Sequence, residues 1–240
     1  MTFCPVTYAK AYPFHIPEGS YILNREGWRP LEGVPQCTGR HAVIASGSNA
    51  SPDRLMTKYA GHAHLLDDAI PVVRAQLHDF DAVYSAHITS YGAIPATLAH
   101  APGAIADVFI TWLTDAQLVR MHETEAVGVN YDFVKLTGIH LLCATGAGLT
   151  AAHAYISKRG CLNKDGKPVP LAALNTAGRQ WRAMTQEEVL DHARALIAPF
   201  EDADAFIRQH IDCADTRAAR TSRLNQDALD HGWPNVMGVA

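Results

Sequence analysis

From position 41 onward, apolar runs of strand or helix length alternate with turn residues, a regularity that the first forty positions lack. His41 to Ala45 is an apolar run of strand length that stops at Ser46-Gly47-Ser48-Asn49, where a glycine between two hydroxyl residues makes a turn. Ser51-Pro52-Asp53 then reads as a helix start, with Ser51 as N-cap and Pro52 in the first turn, and predicts a helix to about Tyr59. Between Val72 and Trp112 the period shifts to two. Strands are expected over 72–77, 82–88, 94–98 and 106–112, with Pro102-Gly103 as the turn between the last two. Thr114-Asp115-Ala116-Gln117 is a capping box that opens a helix with Leu118 and Met121 on one face, Glu125 on its last turn and an end before Gly128.

Further strands are expected over 131–136, 139–143 and 149–156, followed by a loop over 158–170 with a turn at Asn163-Lys164-Asp165-Gly166. Thr185-Gln186-Glu187-Glu188 is a second capping box, starting a helix to about Ala198, and another helix is expected from about Asp202 to Cys213. The Arg-rich remainder, ending in Gly232-Trp233-Pro234, reads as a surface-draped tail. At the other end, Pro5, Pro13, Pro17, Pro30 and Pro35 with Gly19, Gly27 and Gly33 interrupt every pattern, so residues 1–40 read as an irregular extension. Tyr8, Tyr12, Phe14, Tyr21 and Trp28 make that extension too aromatic for a disordered tail, and it is expected to pack on the main body or on a neighbouring subunit. Strands without regular β-α-β alternation argue for an α+β domain over 41–180, with a helical C-terminal segment over 181–240 packed on it.

Composition narrows the function. A formal net charge of -4 over 240 residues, with no dense Lys/Arg block, argues against a nucleic-acid partner. The apolar runs are well short of the roughly 18 to 20 residues that cross a bilayer, and the N-terminus lacks the order of a signal peptide, so a cytoplasmic protein off the membrane is expected. Five cysteines without a C-x-x-C read as reduced, mostly packed thiols. Thirteen histidines include His62-Ala63-His64, but no spacing matches a zinc signature, and neither a metal nor another cofactor is expected. Both ends of the chain are long enough to cross a homodimer interface, though no pattern requires one.

Two stretches carry candidate chemistry. The turn at Ser46, Gly47, Ser48 and Asn49 presents backbone N–H groups of the kind that cradle an anion. Glu125 sits at a helix C-terminus, where the macrodipole disfavours negative charge, so fold stability alone would not select it. His122 stands three positions earlier and shares a helix face with it. Tyr155 and His153 fall on one face of a strand.

The order of these parts resembles the gamma-glutamylcyclotransferase-like family, in which a Tyr-Gly-Ser-Asn or Tyr-Gly-Ser-Leu loop follows the first strand and a Leu-Asp-x-x-Glu-Gly segment ends a later helix. Here the loop is Ser46-Gly47-Ser48-Asn49, followed by Ser51-Pro52-Asp53-Arg54-Leu55, and the helix end is Met121-His122-Glu123-Thr124-Glu125-Ala126. Tyr91-Gly92-Ala93-Ile94-Pro95 and Pro102-Gly103 stand where the family has its middle hairpin, and Ala154-Tyr155-Ile156 is similar to its tyrosine-bearing late strand. The resemblance implies a closed or nearly closed mixed β-barrel flanked by helices, with a pocket at one end. It also implies a cofactor-free cleavage of a small γ-glutamyl amide, in which the substrate's own α-amine attacks its γ-carbonyl to give 5-oxoproline, with Glu125 as general acid/base. Ser46 to Asn49, His122 and Tyr155 would be the substrate-binding residues.

Such a base works best against an apolar wall that draws its pKa toward neutrality. Ser46 in place of the family's tyrosine, His122 in place of its aspartate and Ala126 in place of its glycine alter the pocket. Two further functions therefore stay open on the same scaffold: a metal-free amide hydrolase in which Glu125 activates water, and a non-catalytic binding module with the aromatic extension as its surface.

Overall fold

The computed structural model describes residues 4–233. Contrary to the irregular extension expected for residues 1–40, this segment forms a short helix and a hairpin: α1 (Pro5–Lys10), β1 (Tyr21–Asn24) and β2 (Gly27–Pro30). The prolines and glycines do not prevent this. Pro5 stands at a helix start, where its missing N–H costs no bond, and Gly27 takes the positive φ of +127° that the hairpin turn requires. Tyr21 and Leu23 are fully buried, which ties the hairpin to the main sheet.

The elements that follow are β3 (His41–Ala45), α2 (Pro52–Tyr59), β4 (Ile70–Tyr84), β5 (Ala96–Leu113), α3 (Asp115–Glu125), β6 (Tyr131–Cys143) and β7 (Gly148–Ser157). Strand β5 pairs antiparallel with β3, β3 pairs parallel with β7, and β7 pairs antiparallel with β6. Strand β6 then pairs antiparallel with β4, and β4 with β5, which closes a mixed barrel. The hairpin extends β4 outward, with Tyr21 opposite Val72. Ile44, Val73, Leu77, Val108, Ile110, Val134, Leu136, Ala152 and Ala154 form one buried cluster drawn from all these barrel strands, its interior. Residues of opposite parity, among them Val43, Val72, Phe109 and Phe133, pack with Leu55 and Tyr59 of α2 and Leu118 and Met121 of α3.

The four strands expected between Val72 and Trp112 are two. Strand β4 continues through Asp79, whose φ is +64°, and the Pro102-Gly103 turn is an irregularity inside β5, where the Gly103 N–H donates to Asp79 Oδ1 at 2.7 Å. Strand β6 likewise runs through Gly138 at φ +66° with a register shift, where two strands were expected. A glycine that ends a strand and one that bulges it look alike in sequence. Residues 85–88 and 94–95, expected to belong to two strands, lie instead in the loop 85–95 between β4 and β5.

Both capping boxes form, on α3 and on α4 (Gln186–Ile197), and α5 (Ala203–Asp212) is capped by Asp202. Ser51 does not cap α2: its hydroxyl is buried without a partner. The expected surface-draped tail is instead helix α6 (Ala214–Asn225), whose cap is the Cys213 thiol accepting from the Thr216 N–H at 3.4 Å. Beyond it, Leu229 bridges to Cys161 and Trp233 packs near Phe80, while Pro234 lies outside the described residues. Of the five cysteines only Cys143 and Cys161 are buried, so the thiols are not mostly packed as expected. Among the described residues no helix is long and apolar enough to cross a membrane.

Helix α3 ends at Ala126, which holds the left-handed conformation at φ +49° and ψ +51°. A glycine takes that conformation without steric cost, so Ala126→Gly is expected to stabilise the fold by about 0.5–1 kcal/mol, read as a raised urea midpoint.

Candidate functional site

A cavity of about 490 Å³ opens at the end of the barrel where β3 runs into its turn, α3 ends, and the 85–95 loop meets α6. Ser46, Gly47, Ser48, Asn49, Glu125 and Tyr155 all line it; His122 does not. Six of the seven expected site residues are thus brought together from the turn after β3, from α3 and from β7.

Glu125 is the only carboxylate among the described lining residues. Its Oε1 accepts from Asn49 Nδ2 at 3.0 Å and forms a close ion pair with the Lys58 ammonium. Oε2 has no hydrogen bond among the described residues. Lys58 is buried, and burial pushes its pKa down while Glu125 holds it up. The carboxylate therefore does not stand on the apolar wall that sequence alone suggested. It is gripped by a cation from α2 and an amide from the turn after β3, and Asn49 keeps its Oδ1 buried and unpartnered beside it.

His122, expected to meet Glu125 or the substrate, instead turns toward the sheet. Its Nδ1 lies 2.9 Å from the Tyr155 hydroxyl and its ring packs edge-on against Phe133 at 4.5 Å. Burial lowers its pKa, so the neutral ring supports Tyr155 from behind. His153, on the same strand face as Tyr155, stacks on Phe133 at 4.8 Å and lines no part of the cavity.

Several cavity residues had no signal in the sequence reading. Tyr12, from the segment after α1, is buried with its hydroxyl accepting from the Ala96 N–H at 2.6 Å and bonded to the Ser48 backbone. A Cβ on Gly47 would stand 2.5 Å from that hydroxyl, so the position demands glycine for close approach. Arg54 stacks over Tyr91 at 4.9 Å and Phe14 at 5.7 Å and donates to the Tyr8 hydroxyl at 2.9 Å, while its Nε is buried without a partner. Arg54 and Lys58 are four apart on α2, so the helix repeat puts both on one face.

His87 is buried at the cavity wall, with Nδ1 2.8 Å from Ser85 Oγ, which in turn meets Ser157 Oγ at 2.6 Å. Burial takes its pKa down to about 3. The unfolded chain takes up this proton near pH 6.5 and the folded chain does not, so stability rises with pH between about 3 and 6.5 and is lost as pH falls through that window. His210, lowered to about 4, acts in the same direction. Urea unfolding at pH 7.5 and 5 is expected to show this loss, up to about 1.4 kcal/mol per histidine per pH unit, with a shallower dependence in His87→Gln.

No family model and no curated protein matches the chain. Among solved structures, a gamma-glutamyl cyclotransferase is similar at 11% identity and a TM-score of 0.39, over 83% of this chain and 94% of that one. YkqA from Bacillus subtilis is similar at 13% identity and a TM-score of 0.41, over 82% of this chain and 72% of that one. A protein from Arabidopsis thaliana solved in solution is similar at 19% identity and a TM-score of 0.36. In that case 53% of this chain is matched, spanning 66% of its neighbour's length.

Proposed function

We propose that the chain is a cytoplasmic cyclotransferase-type enzyme that cleaves a small γ-glutamyl or related amide by attack of the substrate's own amine. The observation that carries this reading is the state of Glu125: one oxygen held by Lys58 and Asn49, the other without a hydrogen bond among the described residues, at the wall of a cavity. Glu125 takes a proton from the substrate's α-ammonium. The freed amine attacks the γ-carbonyl and a C–N bond closes the five-membered ring; Glu125 passes its proton to the leaving nitrogen, the C–N bond to that amine breaks, and Glu125 then takes the second proton from the ring nitrogen and hands it on, so that 5-oxoproline keeps one N–H and the amine departs as its ammonium. No side-chain nucleophile is needed, because the attacking group is part of the substrate.

Lys58 pairs with the carboxylate and holds it at the cavity wall. The Asn49 amide fixes the carboxylate's orientation, and its unpartnered Oδ1 is an acceptor for a second ammonium N–H. Arg54, held by its stack on Tyr91 with Nε unpartnered, takes the substrate's α-carboxylate. The backbone amides of Gly47 and Asn49 serve the developing oxyanion, and that of Ser48 is turned to Tyr12. Tyr12 brings a phenol to the loop from outside, where the related family carries a tyrosine at the Ser46 position. The Asn49–Glu125 contact counts against a binding module in which Glu125 is merely a solvated helix end.

Mass spectrometry of products from γ-glutamyl amino acids, γ-glutamyl amines and simple amides, run in labelled water, tests the reading. Unlabelled 5-oxoproline is the expected product. A labelled, uncyclised acid would overturn cyclisation in favour of hydrolysis by a Glu125-activated water.

A further inference from the structure

Besides Glu125, Lys58 and Arg54 the cavity lining carries two more guanidinium groups, Arg159 from the turn after β7 and Arg217 from α6. Neither has an acidic partner among the described residues: Arg217 Nη1 donates to the His210 carbonyl, and Arg159 keeps its Nε buried without a partner. The cavity's one carboxylate is already paired with Lys58. The two arginines belong to one wall, because Asn225 of α6 donates to the Arg159 carbonyl at 3.2 Å and to the Ala86 carbonyl, and Thr221 accepts from the Ile88 N–H at 3.2 Å. Like charges gathered in a concavity without counter-ions raise a positive potential there and select an anionic occupant.

We propose that Arg159 and Arg217 form a second anion subsite that holds a carboxylate or phosphate on the leaving amine and so sets substrate preference. The inference rests on the cyclotransferase reading for what the ligand is, and on the two uncompensated arginines for where its second charge sits. Arg54 serves the end of the substrate that cyclises, and α6 recognises the part that departs. An amine without an anionic group leaves both guanidinium groups facing water.

The test compares γ-glutamylglycine with γ-glutamylethylamide, which differ by the leaving-group carboxylate, and adds γ-glutamylphosphoethanolamine to separate carboxylate from phosphate. Binding is measured by calorimetry on Glu125→Gln, and 5-oxoproline release on the wild type. Anionic conjugates are expected to bind roughly tenfold tighter than the ethylamide, the effect of one charge-assisted contact. Arg159→Gln and Arg217→Gln, placed on the Glu125→Gln background, are expected to bring that ratio close to unity. Arg217→Lys restores part of it, which a mere packing loss at the α5–α6 junction would not allow. Equal binding of charged and neutral conjugates, or a ratio untouched by both substitutions, overturns the subsite. A charge preference in binding with no 5-oxoproline from the wild type supports the subsite and overturns the cyclotransferase reading alone.

Discussion

Glu125→Gln is expected to lower turnover by about a thousandfold, within the range of roughly 10² to 10⁴ that a positioned general acid/base contributes. The amide cannot accept the ammonium proton, and the substrate's amine stays protonated and inert. Binding should survive, because Arg54 and the turn after β3 are untouched. The substitution is not silent for the fold: Lys58, with only 6% of its side chain exposed, loses its counter-ion. Breaking a fully buried pair costs roughly 3–5 kcal/mol, and because this one borders a cavity that water can enter, a loss of about 1–3 kcal/mol is expected. Single-turnover kinetics beside urea unfolding separates the two effects. Near-wild-type turnover in a folded variant would remove Glu125 from the chemistry.

Helix α3 was legible in the sequence because its signals are local. Thr114 and Gln117 cap each other across one turn, and the last turn then places Glu125 without reference to anything distant. The partner of Glu125 was not legible. Arg54 and Lys58 at helical spacing look like a solvated face, and only the docking of α2 against α3 buries Lys58. His122 shows the converse: three residues from Glu125 and on its helix face it was expected to bind substrate, yet Phe133 and Tyr155 draw the ring to the sheet. Tyr12 reaches Gly47 from a segment whose prolines masked its structure. Helix α6, which supplies Arg217, begins at a cysteine cap that is not among the usual cap residues. The barrel strands were found but divided, because Asp79, Gly103 and Gly138 bend strands that the alternation alone would have ended.

Lys58→Met tests whether the cation serves the carboxylate or only fills space. Methionine matches the length and apolar stem of lysine, and Met121 Sδ already lies 3.7 Å from the ammonium, so packing should tolerate the change. What is lost is the positive charge that faces the Glu125 carboxylate. The carboxylate, with only 12% of its side chain exposed, is left without a counter-ion. The expected loss is about 1–3 kcal/mol, read as a lowered urea midpoint. Activity should drop, because the carboxylate loses the cation that positions it at the cavity wall. The double variant Lys58→Met/Glu125→Gln removes both charges and is expected to be more stable than the sum of the single losses predicts. Additive losses would mean that the two side chains do not act as a pair, and unchanged turnover in Lys58→Met would mean that Lys58 does not position the base. Lys58→Arg is expected not to rescue, since a planar guanidinium cannot occupy the compact buried position between Met121 and Glu125.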